Sequence, residues 1–138
     1  MTRAPGCTCS RSARAWDDAP RCATCGQRVL ESQLTPVLLQ ILCGGTGLVL
    51  ARNAQGYDAE RRIKYGLGPG SADYVGLYSR PPLPALYVEV EMKSPDGRLS
   101  TEQRARQQFI ARLNGVYAVV RCEADARVLL DRLRGCHG

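Results

Sequence analysis

The sequence predicts an α/β protein, a mixed sheet flanked by helices, with a small cysteine-rich segment in front of it. Three observations carry this expectation. Apolar residues recur at helical spacing in three segments and at strand spacing between them, in the order αβββαβα. The run Val88-Glu89-Val90-Glu91-Met92-Lys93 alternates apolar and charged residues with the period of a strand. Residues 1–28 hold four of the seven cysteines and no hydrophobic period able to form a core. The chain therefore divides into a segment 1–28 and a globular domain 29–138, a length that can bury a real core.

In the first segment, Cys7-Thr8-Cys9 and Cys22-Ala23-Thr24-Cys25 form two close pairs separated by twelve residues. Four thiolates so grouped satisfy tetrahedral zinc, and the metal supplies folding energy the segment lacks. A cysteine-bearing disordered tail is the alternative. From Glu31 to Cys43, the residues Leu34, Val37, Leu38, Ile41 and Leu42 have helical spacing. Thr35-Pro36 offers a later start, as N-cap and first-turn residues. Gly44-Gly45 stops the helix, and residues 47–53 read as a buried strand. Residues 54–64 read as a polar, partly basic connection.

Gly66, Gly68 and Gly70 form a loop before a strand over 72–78. The loop lacks the Gly-Lys-Ser/Thr ending of a nucleotide-binding loop, which excludes nucleoside-triphosphate hydrolysis of that type. Arg80 to Pro84 is too rich in proline for a strand, and the next strand runs from Leu86 to Lys93. If Tyr78 pairs with Leu86, the same register sets Asp73 opposite Glu91, with Cβ atoms about 5 Å apart. Residues 94–99 form a loop around Pro95-Asp96-Gly97. Ser100 and Gln103 make a capping-box pattern that opens a helix to Asn114, with Ala105, Phe109 and Leu113 toward the core and Gly115 ending it. A strand over 116–121 and an amphipathic helix over 123–134, through Ala126, Val128, Leu129, Leu130 and Leu133, complete the domain.

Two carboxylates and an ammonium on one strand face repel or strand one another unless something compensates them. A divalent cation does so, since hard oxygen ligands suit magnesium or manganese. Singly, Asp73 reads as a turn aspartate, Glu89 and Glu91 as a solvated face, and Lys93 as their ion-pair partner. Together they read as a metal site: Asp73 and Glu91 as ligands with the backbone carbonyl of Met92, and Lys93 as the cation meeting the attacking water or the scissile phosphate. Glu89 supports that face. Gln103 is the capping glutamine, and Arg104, Arg106 and Arg112 are a solvated helix face.

Nineteen Lys and Arg against 13 Asp and Glu leave a net charge of +6. This fits a polyanionic partner such as DNA, or an arginine-rich genome. No run of eighteen apolar residues predicts a membrane span, and no apolar core of a signal peptide opens the chain. A cytosolic location is expected, with thiols or metal ligands rather than disulfides. His137 is the only histidine, so Ser-His-Asp, Cys-His and histidine-metal nuclease chemistries lack their residue inside the fold. Cys136 and His137 lie at a terminus where fraying outweighs ligation.

At Gly70-Ser71-Ala72-Asp73 and Glu91-Met92-Lys93 the chain resembles the PD-(D/E)XK nuclease superfamily, and more closely its VRR-NUC branch. Tyr65 to Asp73 resembles that branch's glycine-rich approach to the aspartate, and Gly97 to Gln103 its segment after the lysine. Ala72 stands where the superfamily has proline. The resemblance covers Glu31 to the C-terminus and implies a restriction-endonuclease-like fold. It also implies hydrolysis of DNA phosphodiesters with Mg2+ or Mn2+, Glu31 as an upstream helical catalytic glutamate, and Gln103 beside the catalytic cluster. Branched DNA or junctions as substrates, and a homodimer, are further expectations from it. A nucleic-acid-binding module that does not cleave, and a zinc-dependent protein-interaction domain, are the competing readings.

Overall fold

The computed structural model describes residues 31–94 and 97–135. The proposed zinc ligands Cys7, Cys9, Cys22 and Cys25, the turn residues Pro95 and Asp96, and Cys136 and His137 lie outside the described residues. The elements are α1 (Glu31–Cys43), β1 (Leu48–Arg52), β2 (Gly56–Asp58), β3 (Ile63–Tyr65), β4 (Tyr74–Tyr78), β5 (Leu86–Met92), α2 (Thr101–Arg112), β6 (Val116–Val120) and α3 (Glu123–Arg134). The chain is mixed α/β, with a mixed four-stranded sheet in the order β1-β4-β5-β6 and a two-stranded sheet of β2 and β3.

Its contacts group into two compact units. Among the described residues the first comprises 31–46, 92–94, 97–98 and 119–135, and so holds α1 and α3. Helix α1 begins at Glu31 and carries Pro36 inside it, so Thr35-Pro36 does not set its start. The proline forgoes one backbone bond, a cost the apolar positions Leu38 and Leu42 offset by complete burial. Helix α3 buries Ala126, Leu129, Leu130 and Leu133. Val128, expected on that stripe, is exposed: it stands one position off the 126-129-130-133 face. Glu123 and Asp125 in the first turn and Arg132 and Arg134 in the last oppose the helix dipole.

The second unit comprises Gly47–Glu91 and Leu99–Ala118. Strands β1 and β4 pair antiparallel from Leu48↔Tyr78 to Arg52↔Tyr74, and β4 and β5 from Tyr78↔Leu86 to Tyr74↔Val90. The hairpin register expected from Tyr78 opposite Leu86 is the one observed. The connection between those strands contains a cis Pro81-Pro82 peptide and is closed by Arg80 Nε donating to the Pro84 carbonyl at 2.7 Å.

Residues 54–64 differ from expectation, since β2 and β3 form a hairpin where a plain connection was read. Three-residue strands exposed on both faces leave no buried alternation to detect. Asp58 supplies the turn, its Oδ1 accepting the backbone N–H groups of Glu60 and Arg61 at 3.0 Å each.

Helix α2 has the expected capping box: Ser100 Oγ accepts the Gln103 N–H at 3.1 Å, and Gln103 Oε1 accepts the Ser100 N–H at 2.9 Å. It ends at Arg112, two residues short of the expected Asn114, with Leu113 as C-cap and Asn114 taking the left-handed φ of 64° that asparagine tolerates. Its orientation is the larger correction. Ile110 is the buried residue of the helix, while Ala105, Phe109 and Leu113 are exposed. No helix among the described residues is long and apolar enough to cross a membrane.

Candidate active site

Strand β5 buries both of its faces. Val88 and Val90 are fully buried on one side, and on the other Glu89 is 0% and Glu91 4% exposed. A solvated charged face is thereby ruled out, and each carboxylate needs partners. Those partners come from the loop before β4 and from α2.

Glu89 Oε1 accepts the Ala72 backbone N–H at 3.0 Å, and Glu91 Oε2 accepts the next one, Asp73 N–H, at 3.1 Å. Two same-face glutamates thus hold two successive amides of the loop that delivers Asp73. Glu89 is also met by Arg106 Nη2 at 2.8 Å and Nε at 3.2 Å, and by Tyr87 Oη at 2.8 Å. Its buried charge is thereby compensated inside the fold. The carboxylate in turn holds the Arg106 guanidinium above its ordinary pKa, and burial, then Glu89, raises the Tyr87 phenol.

Glu91 has a different set of neighbours. Gln103 Nε2 donates to its Oε1 at 2.8 Å. Gln103 therefore closes the capping box with one amide atom, as expected, and holds Glu91 with the other. The β4–β5 pairing ends at Tyr74↔Val90, and continued by one step that register would set Asp73, whose amide donates to Glu91, across from it.

The loop itself is pinned from several sides. Gly70 has φ 77°, and a Cβ there would stand 2.2 Å from the Glu102 carbonyl oxygen, so only glycine lets the loop lie against the first turn of α2. Tyr117 Oη donates to the Gly70 carbonyl at 3.1 Å. Burial, and then the charges of Glu91, Glu89 and Asp73, push the Tyr117 phenol well above its usual pKa, so it stays a donor. From β1, Asn53 Nδ2 donates to Ser71 Oγ and to the Ala72 carbonyl, both at 2.9 Å, and Asn53 N–H to the Asp73 carbonyl at 2.7 Å.

Asp73, Glu89, Glu91 and Gln103 thus assemble within the second unit. Met92 and Lys93, the next residues along the strand, and Glu31, the first residue of α1, belong to the other unit. The Lys93 backbone N–H donates to the Val120 carbonyl at 3.1 Å.

Among the described residues, no group of three or more His, Cys, Asp or Glu side chains is placed to hold a metal ion. The donor chemistry nonetheless suits magnesium or manganese. These ions take one or two protein carboxylates and fill their remaining positions with carbonyl, water or phosphate oxygens. Asp73 and Glu91 supply two such carboxylates.

Arg106, read from sequence as part of a solvated helix face, instead turns inward to pair with Glu89, and Tyr117 and Asn53 were not singled out from sequence. A signal for Arg106 existed, because Gln103, Arg106, Gln107 and Ile110 form one helical face. Comparison of the chain with protein-family models, curated proteins and solved structures finds no match.

Proposed function

We propose that the chain is a divalent-metal-dependent DNA endonuclease of the PD-(D/E)XK type, close to the VRR-NUC branch, with a restriction-endonuclease-like fold. The observation that carries this reading is the pair of carboxylates at the end of the β4–β5 register: Asp73, one step past the last pair, donates its amide to a buried Glu91 whose other oxygen accepts from the Gln103 side chain. Oxygen donors of this kind suit magnesium or manganese, which supports the reading.

Asp73 and Glu91 would hold the ion, with the Met92 carbonyl as a third oxygen. The chemistry such an ion would supply is neutralisation of charge on the scissile phosphate and a more acidic, nucleophilic water. Lys93, two residues along the strand from Glu91, contributes an ammonium to the negative charge that develops at phosphorus. Water adds across the P–O bond, phosphorus taking the hydroxyl and the leaving oxygen the proton. Gln103 keeps Glu91 in its binding rotamer, and Glu89 with Arg106 keeps the Asp73 loop in place. The family resemblance would add Glu31, the first residue of α1, as a helical carboxylate. The same reading would add a structural zinc on Cys7, Cys9, Cys22 and Cys25, which lie outside the described residues, a cytosolic location, and a dimer that would make two cuts at branched DNA.

The test compares wild type with Lys93→Ala on duplex, flap, single-stranded and four-way-junction DNA, each with Mg2+, Mn2+ or EDTA. Metal-dependent cleavage that falls by a factor of about 10² or more in the variant is the expected result. Binding without cleavage under every condition would instead identify a nucleic-acid-binding module.

A further inference from the structure

The β2–β3 ribbon has side chains its own fold does not use. Tyr57, Ile63 and Tyr65 are each more than half exposed, Tyr57 on one face of the ribbon and Ile63 and Tyr65 on the other. A bare two-stranded hairpin is marginal in water, and a chain that puts three large apolar side chains on one gains nothing from them unless something covers them.

The ribbon is nevertheless built with care. Tyr65 lies across Gly56, where a Cβ would stand 2.3 Å from the phenol oxygen. Gly66 closes the base with φ 96°, in a space where a Cβ would meet the Ala54 carbonyl oxygen at 2.9 Å. Lys64 stands directly opposite Tyr57, and Arg61 and Arg62 occupy the exposed tip. Arg61 approaches Asp58 only at 3.9 Å with its side chain 78% exposed, which leaves its charge to solvent.

The ribbon is also tied to the candidate site. The chain enters it through Asn53 and Gln55 and leaves it toward Asp73. Asn53 bonds to Ser71, Ala72 and Asp73, and Gln55 Nε2 donates to the Ser71 carbonyl at 3.3 Å. Whatever the ribbon holds is held in fixed relation to Asp73.

We propose that β2–β3 is a grip for an unpaired, single-stranded stretch of nucleic acid, with bases stacking on Tyr57 and Tyr65 and phosphates meeting Lys64, Arg61 and Arg62. Exposed aromatic rings interleaved with cations are what a splayed single strand needs, since every base offers a stacking face and every phosphate a charge. A duplex keeps its bases stacked on each other and gives the tyrosines nothing to cover. The inference extends the nuclease reading by naming the part of the substrate next to the cut, but the grip itself requires no cleavage.

The experiment uses the full chain and fluorescein-labelled oligo-dT and duplex DNA of equal length. Anisotropy in EDTA gives binding, and cleavage with Mn2+ gives KM and kcat. Tyr57→Ala, which leaves the Tyr65–Gly56 contact alone, weakens oligo-dT binding about tenfold, and Tyr57→Phe restores it. Lys64→Ala flattens the salt dependence of binding. Where cleavage is seen, the loss falls on KM. Unchanged oligo-dT affinity in Tyr57→Ala and Lys64→Ala, or an equal loss for duplex, overturns the grip even if wild type cleaves. Ring-dependent oligo-dT binding by a wild type that never cleaves supports the grip and removes the nuclease. A wild type that binds neither probe overturns the grip outright.

Discussion

Glu89 and Glu91 are two residues apart on one strand face, yet the fold treats them differently. Glu89 is saturated: Arg106, Tyr87 and the Ala72 amide surround a fully buried carboxylate. Glu91 accepts from the Gln103 side chain and the Asp73 amide. The first arrangement suits a post that holds a loop, the second the ligand role proposed for Glu91. Because Glu89 is buried, removing its cation is expensive. Arg106→Ala is expected to lower stability by about 3 kcal/mol, and Glu89→Gln in the same chain to recover part of it. Urea unfolding of the single and double variants measures this. A loss near 0.5 kcal/mol would show the pair to be no more than a surface bridge.

At the scale of elements, α2 is the informative case. Its capping box was legible in Ser100 and Gln103, but its inward face was not, because the apolar stripe Ala105-Phe109-Leu113 points to solvent. Hydrophobic periodicity assumes an oily surface beneath the helix. Here the sheet beneath it carries Glu89 and Glu91, so Gln103 and Arg106 face inward with Ile110. Buried charge on a sheet reverses the usual rule for the helix that covers it. The same element offers a separation of roles. Ser100→Ala removes the acceptor for the Gln103 N–H and is expected to cost about 1 kcal/mol with little change in metal dependence. Gln103→Ala is expected to raise the Mn2+ concentration for half-maximal cleavage several-fold as well. Identical metal titrations for the two variants would reduce Gln103 to a cap.

Across the whole molecule, the long elements were legible and the short, exposed ones were not. Strand β5, strand β6, helix α3 and the β4–β5 register followed from alternation, β-branching and hairpin spacing. The β2–β3 ribbon left no such trace, since neither of its faces is buried. In the candidate site, Asp73 opposite Glu91 was legible from hairpin register, whereas Gln103 read from sequence alone only as a cap, its place beside them coming from the family resemblance. Tyr117 was not legible, because it reaches the Gly70 loop through tertiary packing that no local pattern encodes, and Arg106 was legible only through the polar helical face it shares with Gln103. The central claim is that Asp73 and Glu91 form a divalent-cation site. Titration of the full chain with Mn2+, followed by electron paramagnetic resonance, tests it directly against Asp73→Asn and Glu91→Gln. The account predicts saturable Mn2+ binding by wild type, weakened at least tenfold by each substitution. Equal Mn2+ uptake by all three proteins, or none by wild type, would contradict it.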